Sequence, residues 1–217
     1  MKKGLALMAA VSAAALATPA LAQDGDFTGP WVAGVAGFDS NKAGSTTDTD
    51  NPDIDESAEG VAYGAAIGYD FDMGNAVIGA EAELTDSTAD VHRATSGDFG
   101  LGEVNAGRDI YVGARAGFKV TPATLLYAKA GYTNARYNFV GYDGDIDYRE
   151  AIDTDGWRLG AGIEQRLGSN AFAKIEYRYS NYSKGEIDFE AEDVPDSDRF
   201  DIDLDRHQVM AGVGWRF

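Results

Sequence analysis

Acids and bases recur at alternate positions inside segments that are otherwise apolar. Glu81, Glu83, Asp109, Glu164 and Glu176 share their parity with Arg115, Lys119, Lys129, Arg158, Arg166, Lys174 and Arg178, and with glycines rather than large apolar residues. Charges of both signs collected on one face have two uses. They pair with one another where water is excluded, because an unpaired buried charge is costly, or they line a polar passage. Two further runs, Asp143-x-Asp145-x-Asp147 and Asp201-x-Asp203-x-Asp205, put carboxylates at calcium-like spacing. Neither continues as an EF-hand. The sixth position is Tyr148 or Arg206, where glycine is needed, and no glutamate stands at position twelve. In a strand, alternate aspartates simply share one face, so this spacing alone predicts no specific metal site.

Other chemistry has little support. The chain has no cysteine, which removes thiol catalysis and thiolate metal sites, and its two histidines are His92 and His207. Gly160-Ala161-Gly162 lies inside a strand pattern, with no helix N-terminus following it to receive phosphate. A formal charge of −18 argues against nucleic acid, whose phosphates demand the opposite sign. No catalytic residue and no cofactor is expected.

The elements that would position the charges are strands of period two. The terminal run His207–Phe217 sets Val209, Ala211, Val213, Trp215 and Phe217 against Gln208, Met210, Gly212, Gly214 and Arg216. Such a strand suits one face in lipid and one toward a polar lumen, at about the length that crosses a bilayer. The alternation recurs over 60–72, 75–85, 109–120, 124–133, 157–167 and 171–179. In 109–120, for example, Ile110, Val112, Ala114, Ala116, Phe118 and Val120 oppose Asp109, Tyr111, Gly113, Arg115, Gly117 and Lys119. Pro30–Phe38 is also strand-like, with its facing left open by glycine and alanine. That makes eight strands.

Short connections at 72–75, 121–123 and 168–170 carry turn residues and alternate with long ones at 39–59, 86–107, 136–155 and 181–206. The first and last of the long stretches carry −6 and −7. Phe71, Phe118, Trp215 and Phe217 gather at one end of the strands. Tyr63, Tyr132, Trp157, Tyr177 and Tyr179 gather at the other, as two membrane interfaces would collect them.

The N-terminus carries Lys2 and Lys3, an apolar run from Leu5 to Leu16, and Ala20-Leu21-Ala22 before Gln23. The order is that of a secretory signal peptide spanning 1–22, too short to span a bilayer. The expected fold is therefore all-β: an eight-stranded antiparallel up-and-down transmembrane barrel over residues 23–217. An eight-stranded interior is just wide enough for side chains to fill, which favours a salt-bridged plug, with the inward glycines leaving room for water beside it. A narrow or gated porin-like channel for small solutes stays open as the alternative. A soluble ligand-binding barrel comes third.

The leader, the eight alternating strands, the strand ends Gly68-Tyr69, Gly117-Phe118 and Gly131-Tyr132, and the closing Gly214-Trp215-Arg216-Phe217 resemble the small bacterial outer-membrane β-barrel family. That group includes the OmpA transmembrane domain, opacity-type proteins and alphaproteobacterial porin-like surface proteins. The resemblance implies export to the outer membrane and contact with outer-membrane lipid and lipopolysaccharide. It also implies assembly by machinery that reads a terminal strand, here through Trp215 and Phe217. Divalent cations at the acidic loops are a further expected partner. Some eight-stranded barrels process lipid A with a rim histidine, serine and acid. His207 and Asp205 stand at about that height, with Ser180 and Ser183 the nearest serines, but none precedes His207 at a short spacing. The expected role is structural and interactive rather than enzymatic.

Overall fold

The computed structural model describes residues 27–43, 57–91, 104–143, 146–189 and 200–217. The expected leader, His92 and Asp145 lie outside them. Eight long strands run in chain order: β1 (Gly29–Ala43), β2 (Ser57–Asp72), β3 (Ala76–Ser87), β4 (Val104–Thr121), β5 (Thr124–Asp143), β6 (Ile146–Leu167), β7 (Ala171–Phe189) and β8 (Phe200–Arg216). The two-residue piece Asp90–Val91 pairs with Asn105 and Val104 at the start of β4. Every long strand is antiparallel to its chain neighbours, and β8 returns to pair with β1 from Trp31↔Arg216 to Ala43↔Leu204. The sheet is a closed barrel with no free edge, the condition for crossing lipid with strands.

Side-chain facing follows the alternation. Outward positions such as Val112, Phe118, Leu159, Ile175, Val213 and Trp215 are exposed, whereas their neighbours Tyr111, Arg115, Arg158, Lys174 and Arg216 are buried. The strand left open by its composition is settled by the same rule. Trp31, Ala33, Val35 and Asp39 of β1 are buried and Phe38 is exposed, so its odd residues face the lumen. Short turns link β2 to β3, β4 to β5 and β6 to β7. In the first, Met73 N–H donates to Ala76 O at 2.8 Å, Gly74 N–H donates to Asp72 Oδ1 at 2.9 Å, and Gly74 has φ +93°.

Two expectations need correction. The long connections are shorter than the alternation suggested, because strand pairing continues past the apolar-alternating part of each strand. β5 and β6 pair as far as Asp143↔Ile146, where a loop over 136–155 was expected. β7 runs to Phe189 and β8 begins at Phe200. Outside lipid a strand needs no apolar face, so its pairing persists after its hydrophobic signature has stopped. The second correction concerns the inward glycines. A Cβ on Gly68 would meet the Trp31 ring at 2.4 Å, one on Gly113 the Tyr111 hydroxyl at 2.0 Å, and one on Gly160 the Lys129 stem at 3.0 Å. Gly162 faces Tyr127 in the same way. The space is taken by large side chains next to each glycine on the wall: the paired residues Trp31, Lys129 and Tyr127 of the adjacent strand, and Tyr111 two residues earlier on the same strand.

Candidate functional site

Among the described residues, the lumen wall delivers seven buried acids and seven buried bases: Asp39, Asp70, Glu81, Glu83, Asp109, Glu164 and Glu176 with Arg115, Lys129, Arg158, Lys174, Arg178, Arg206 and Arg216. The strand registers stack them into three tiers, each internally neutral. In the tier nearest the short turns, the end that faces the periplasm in outer-membrane barrels, two arginines and two acids close a ring. Arg115 Nε lies 3.2 Å from Asp70 Oδ1, and its Nη2 lies 2.7 Å from Glu164 Oε2. Arg216 meets the same two acids from the other side, each at 2.8 Å.

The middle tier centres on Lys129. Its ammonium lies 2.7 Å from Glu81, 2.9 Å from Glu83 and 2.8 Å from Glu176. Arg178 donates to Glu83 at 2.8 Å and to Glu176, and Tyr127 Oη donates to Glu176 Oε2 at 2.7 Å. Lys174 completes the tier at 3.9 Å from both Glu83 and Glu176.

In the outer tier Arg206 grips Asp39 in bidentate fashion, Nε–Oδ1 at 2.8 Å and Nη2–Oδ2 at 2.7 Å, while its Nη1 reaches Asp109 at 2.8 Å. Such fork-on-carboxylate geometry is the strong form of the ion pair. Asp109 also accepts from Arg158 and from Thr133 Oγ1. The tiers are joined by longer contacts, Arg115 to Glu81 at 3.9 Å and Arg158 to Glu83 at 3.7 Å. Aromatic rings fill what the charges leave. Arg115 stacks 4.6 Å from the Tyr127 centroid, Lys129 4.7 Å from Tyr111, and Trp31 meets Phe172 edge-on at 5.9 Å. Cations over ring faces gain most where water is absent.

Of the twelve charged residues expected in a lumen cluster, the structure brings together ten. Lys119 and Arg166 have inward parity but sit at the periplasmic rim. Lys119 Nζ pairs with Asp72 at 2.6 Å, and Arg166 donates to Ser169 O at 3.1 Å. Four members were missed. Asp39 was read as the first residue of the 39–59 connection, one position past the strand whose facing was open; the structure extends that strand to Ala43, and Asp39 shares the parity of Trp31. Arg206 lay in a stretch read as loop. Asp70 and Arg216 had been placed on inward faces without being joined to the cluster.

Ser180 and His207, two of the residues weighed for catalysis, face opposite sides of the wall. Ser180 is on the lumen side, accepting from Arg158 Nε at 2.8 Å, and His207 is on the outer face with its Nδ1 2.7 Å from Tyr177 Oη. Asp205 accepts from Tyr179 at 2.7 Å and Asn181 at 3.0 Å. Of the two aspartate triplets, only the Asp205 side chain is among those described. Trp215 and Phe217 face outward, and Phe217 N–H donates to Pro30 O at 2.9 Å.

Residues 4–217 match the family model described as an outer membrane protein beta-barrel domain. The chain belongs to that family. It is an outer-membrane protein, and the relatives it matches are themselves named as outer-membrane proteins. It is 30% identical over 155 residues to the 25 kDa outer-membrane immunogenic protein of Brucella canis, covering 71% of this chain and 64% of that one. The chain thus spans under two thirds of the 25 kDa relatives' length. With the 31 kDa outer-membrane immunogenic protein of Brucella melitensis the identity is 28% over 206 residues, covering 86% and 84%. Among solved structures, Neisserial surface protein A matches with a TM-score of 0.55 at 16% identity, over 88% of this chain and 98% of that one. Ail of Yersinia pestis, solved with the heparin analogue sucrose octasulfate, matches at 0.50 and 15% identity, over 87% and 99%. These likenesses are of fold.

Proposed function

We propose that the protein is a closed structural and surface-interaction barrel, held shut by its own charges, that presents acidic segments outside the cell. The observation that carries this reading is the neutral three-tier column. Each charge in it already has an opposite partner, so an entering ion would have to break a buried pair, and that is costly. General diffusion barrels use about twice as many strands and leave an aqueous channel. Planar-bilayer recording of the refolded protein is expected to show no reproducible conductance steps. Regular steps would replace this reading with the narrow or gated channel.

The acidic stretches at 39–59 and 181–206 set the sign of the partner. Lipopolysaccharide is itself anionic, so contact between the two needs a divalent cation that carboxylate and phosphate oxygens share. Ail was solved with a polyanion, and stretches of this sign would repel one. Binding of the folded barrel to lipopolysaccharide in magnesium buffer is expected to fall at least tenfold when a chelator removes the metal. Undiminished binding in chelator would sink the cation bridge. Trp215 and Phe217 are assigned to recognition by the barrel-assembly machinery.

A further inference from the structure

The lumen column is built entirely from the barrel wall, but one buried side chain in the periplasmic mouth is not. Phe27 precedes β1 and is fully buried among Val77, Leu125 and Tyr127. Its backbone is tied down on both sides. Phe27 N–H donates to Asp72 Oδ2 at 3.0 Å, and Phe27 O accepts from Arg216 Nη1 at 2.5 Å. Thr28 Oγ1 accepts the Asp72 N–H at 3.0 Å. Around the ring stand three cations, Arg216 at 5.6 Å, Arg166 at 5.8 Å and Lys119 at 6.0 Å from its centroid.

We infer that Phe27 is a stopper, a short strap folded into the periplasmic mouth that shields the lower end of the charge column from water. Lys119 and Arg166, the two inward bases left out of the column, belong to this device. The turn that aims the strap is at Gly29. Its φ of +125° is open to glycine, and a Cβ there would lie 2.5 Å from Phe217 O. The same contact brings the start of β1 against the end of β8, so the stopper also closes over the seam between first and last strands. Phe27 precedes the first ladder pair of β1, Gly29↔Asp70, so it can leave the mouth by giving up its bonds to Asp72 and Arg216 without breaking a barrel ladder. The three tiers behind it cannot.

The chain has no cysteine, so a single reporter can be introduced at Val77→Cys, which points into the mouth beside Phe27. The probe is an anionic methanethiosulfonate reagent, applied to refolded protein in detergent, with unboiled gel mobility confirming the fold of each variant. The reporter is expected to react slowly behind Phe27 and at least tenfold faster when Phe27→Ala is added. Phe27→Leu keeps apolar bulk and the fold while removing the ring face, and is expected to give an intermediate rate. Rates equal within twofold in all three backgrounds would overturn the proposal, whether all are fast or all slow. Conductance is a separate readout, since the column can stay closed with the stopper gone.

Discussion

Asp109→Ala is expected to lower the unfolding free energy of the barrel by about 3–5 kcal/mol, the usual loss when one partner of a buried charge network is removed. Asp109 accepts from Arg158, Arg206 and Thr133 within a fully desolvated tier. Without it Arg206 keeps Asp39, but Arg158 is left with Glu83 at 3.7 Å and the neutral Ser180 and Tyr182 hydroxyls. The outer tier then carries an uncompensated positive charge under the loops. Denaturant titration in lipid or detergent, followed by the unboiled gel shift, measures the loss. Asp153→Ala is the matched control, because its pairs with Arg108 at 3.4 Å and Arg136 at 3.9 Å lie outside the column and are partly open to solvent. An exposed pair contributes about 0–1 kcal/mol. Equal midpoints for the two variants would mean that the column does not support the fold.

The contrast between those two aspartates marks what the sequence could and could not say. Within the membrane, lipid imposes period two so strictly that Val112 and Arg115, or Leu159 and Arg158, can be assigned to opposite faces by parity alone. Asp109, Glu164 and Arg178 were legible for that reason. Above the bilayer both faces meet water or polar neighbours. Parity fades there, and Arg206 looked like part of a loop although it anchors the outer tier. In β1 the large Trp31 points into the lumen, where it packs on Phe172 and lies under Arg115 and Lys174. Hydrophobicity alone would have put it in lipid. Glycines misled in a similar way. Alternation showed that Gly68, Gly113 and Gly160 face inward, but whether such a position is empty or overlaid depends on how neighbouring large side chains lie, those of the paired strand for Gly68 and Gly160 and Tyr111 of the same strand for Gly113. Tier membership is likewise a property of register and tilt between strands far apart in sequence, which no local pattern encodes. Arg216 and Asp70, at opposite ends of the chain, meet only because β8 closes on β1.

Register also creates, among the described residues, a cluster of three close carboxylates, and Lys129→Met tests it. Glu81 and Glu83 come from β3 and Glu176 from β7, and one carboxylate oxygen of each lies within 4.8 Å of the others. Three carboxylates this close would repel one another without a cation among them, and the Lys129 ammonium supplies it at 2.7–2.9 Å. Methionine keeps the apolar stem that covers Gly160 and deletes only the charge. The middle tier is then left with three acids against Lys174 and Arg178, and the expected loss is again about 3–5 kcal/mol. Two rescues separate charge from packing. Glu81→Gln in the Lys129→Met background restores two acids against two bases, so the double variant is expected to be more stable than Lys129→Met alone, a coupling that unrelated sites would not show. Calcium takes carboxylate oxygens readily and stabilises whichever state it binds; at about a hundred times its Kd the gain is about 2.7 kcal/mol. Refolding in calcium should therefore raise the midpoint of Lys129→Met and leave the parent unchanged, whose cage already holds an ammonium. If Lys129→Met unfolds at the parent's denaturant concentration, the column is packing that happens to be charged. If it falls and Glu81→Gln restores it, charge balance within each tier is what holds the lumen together.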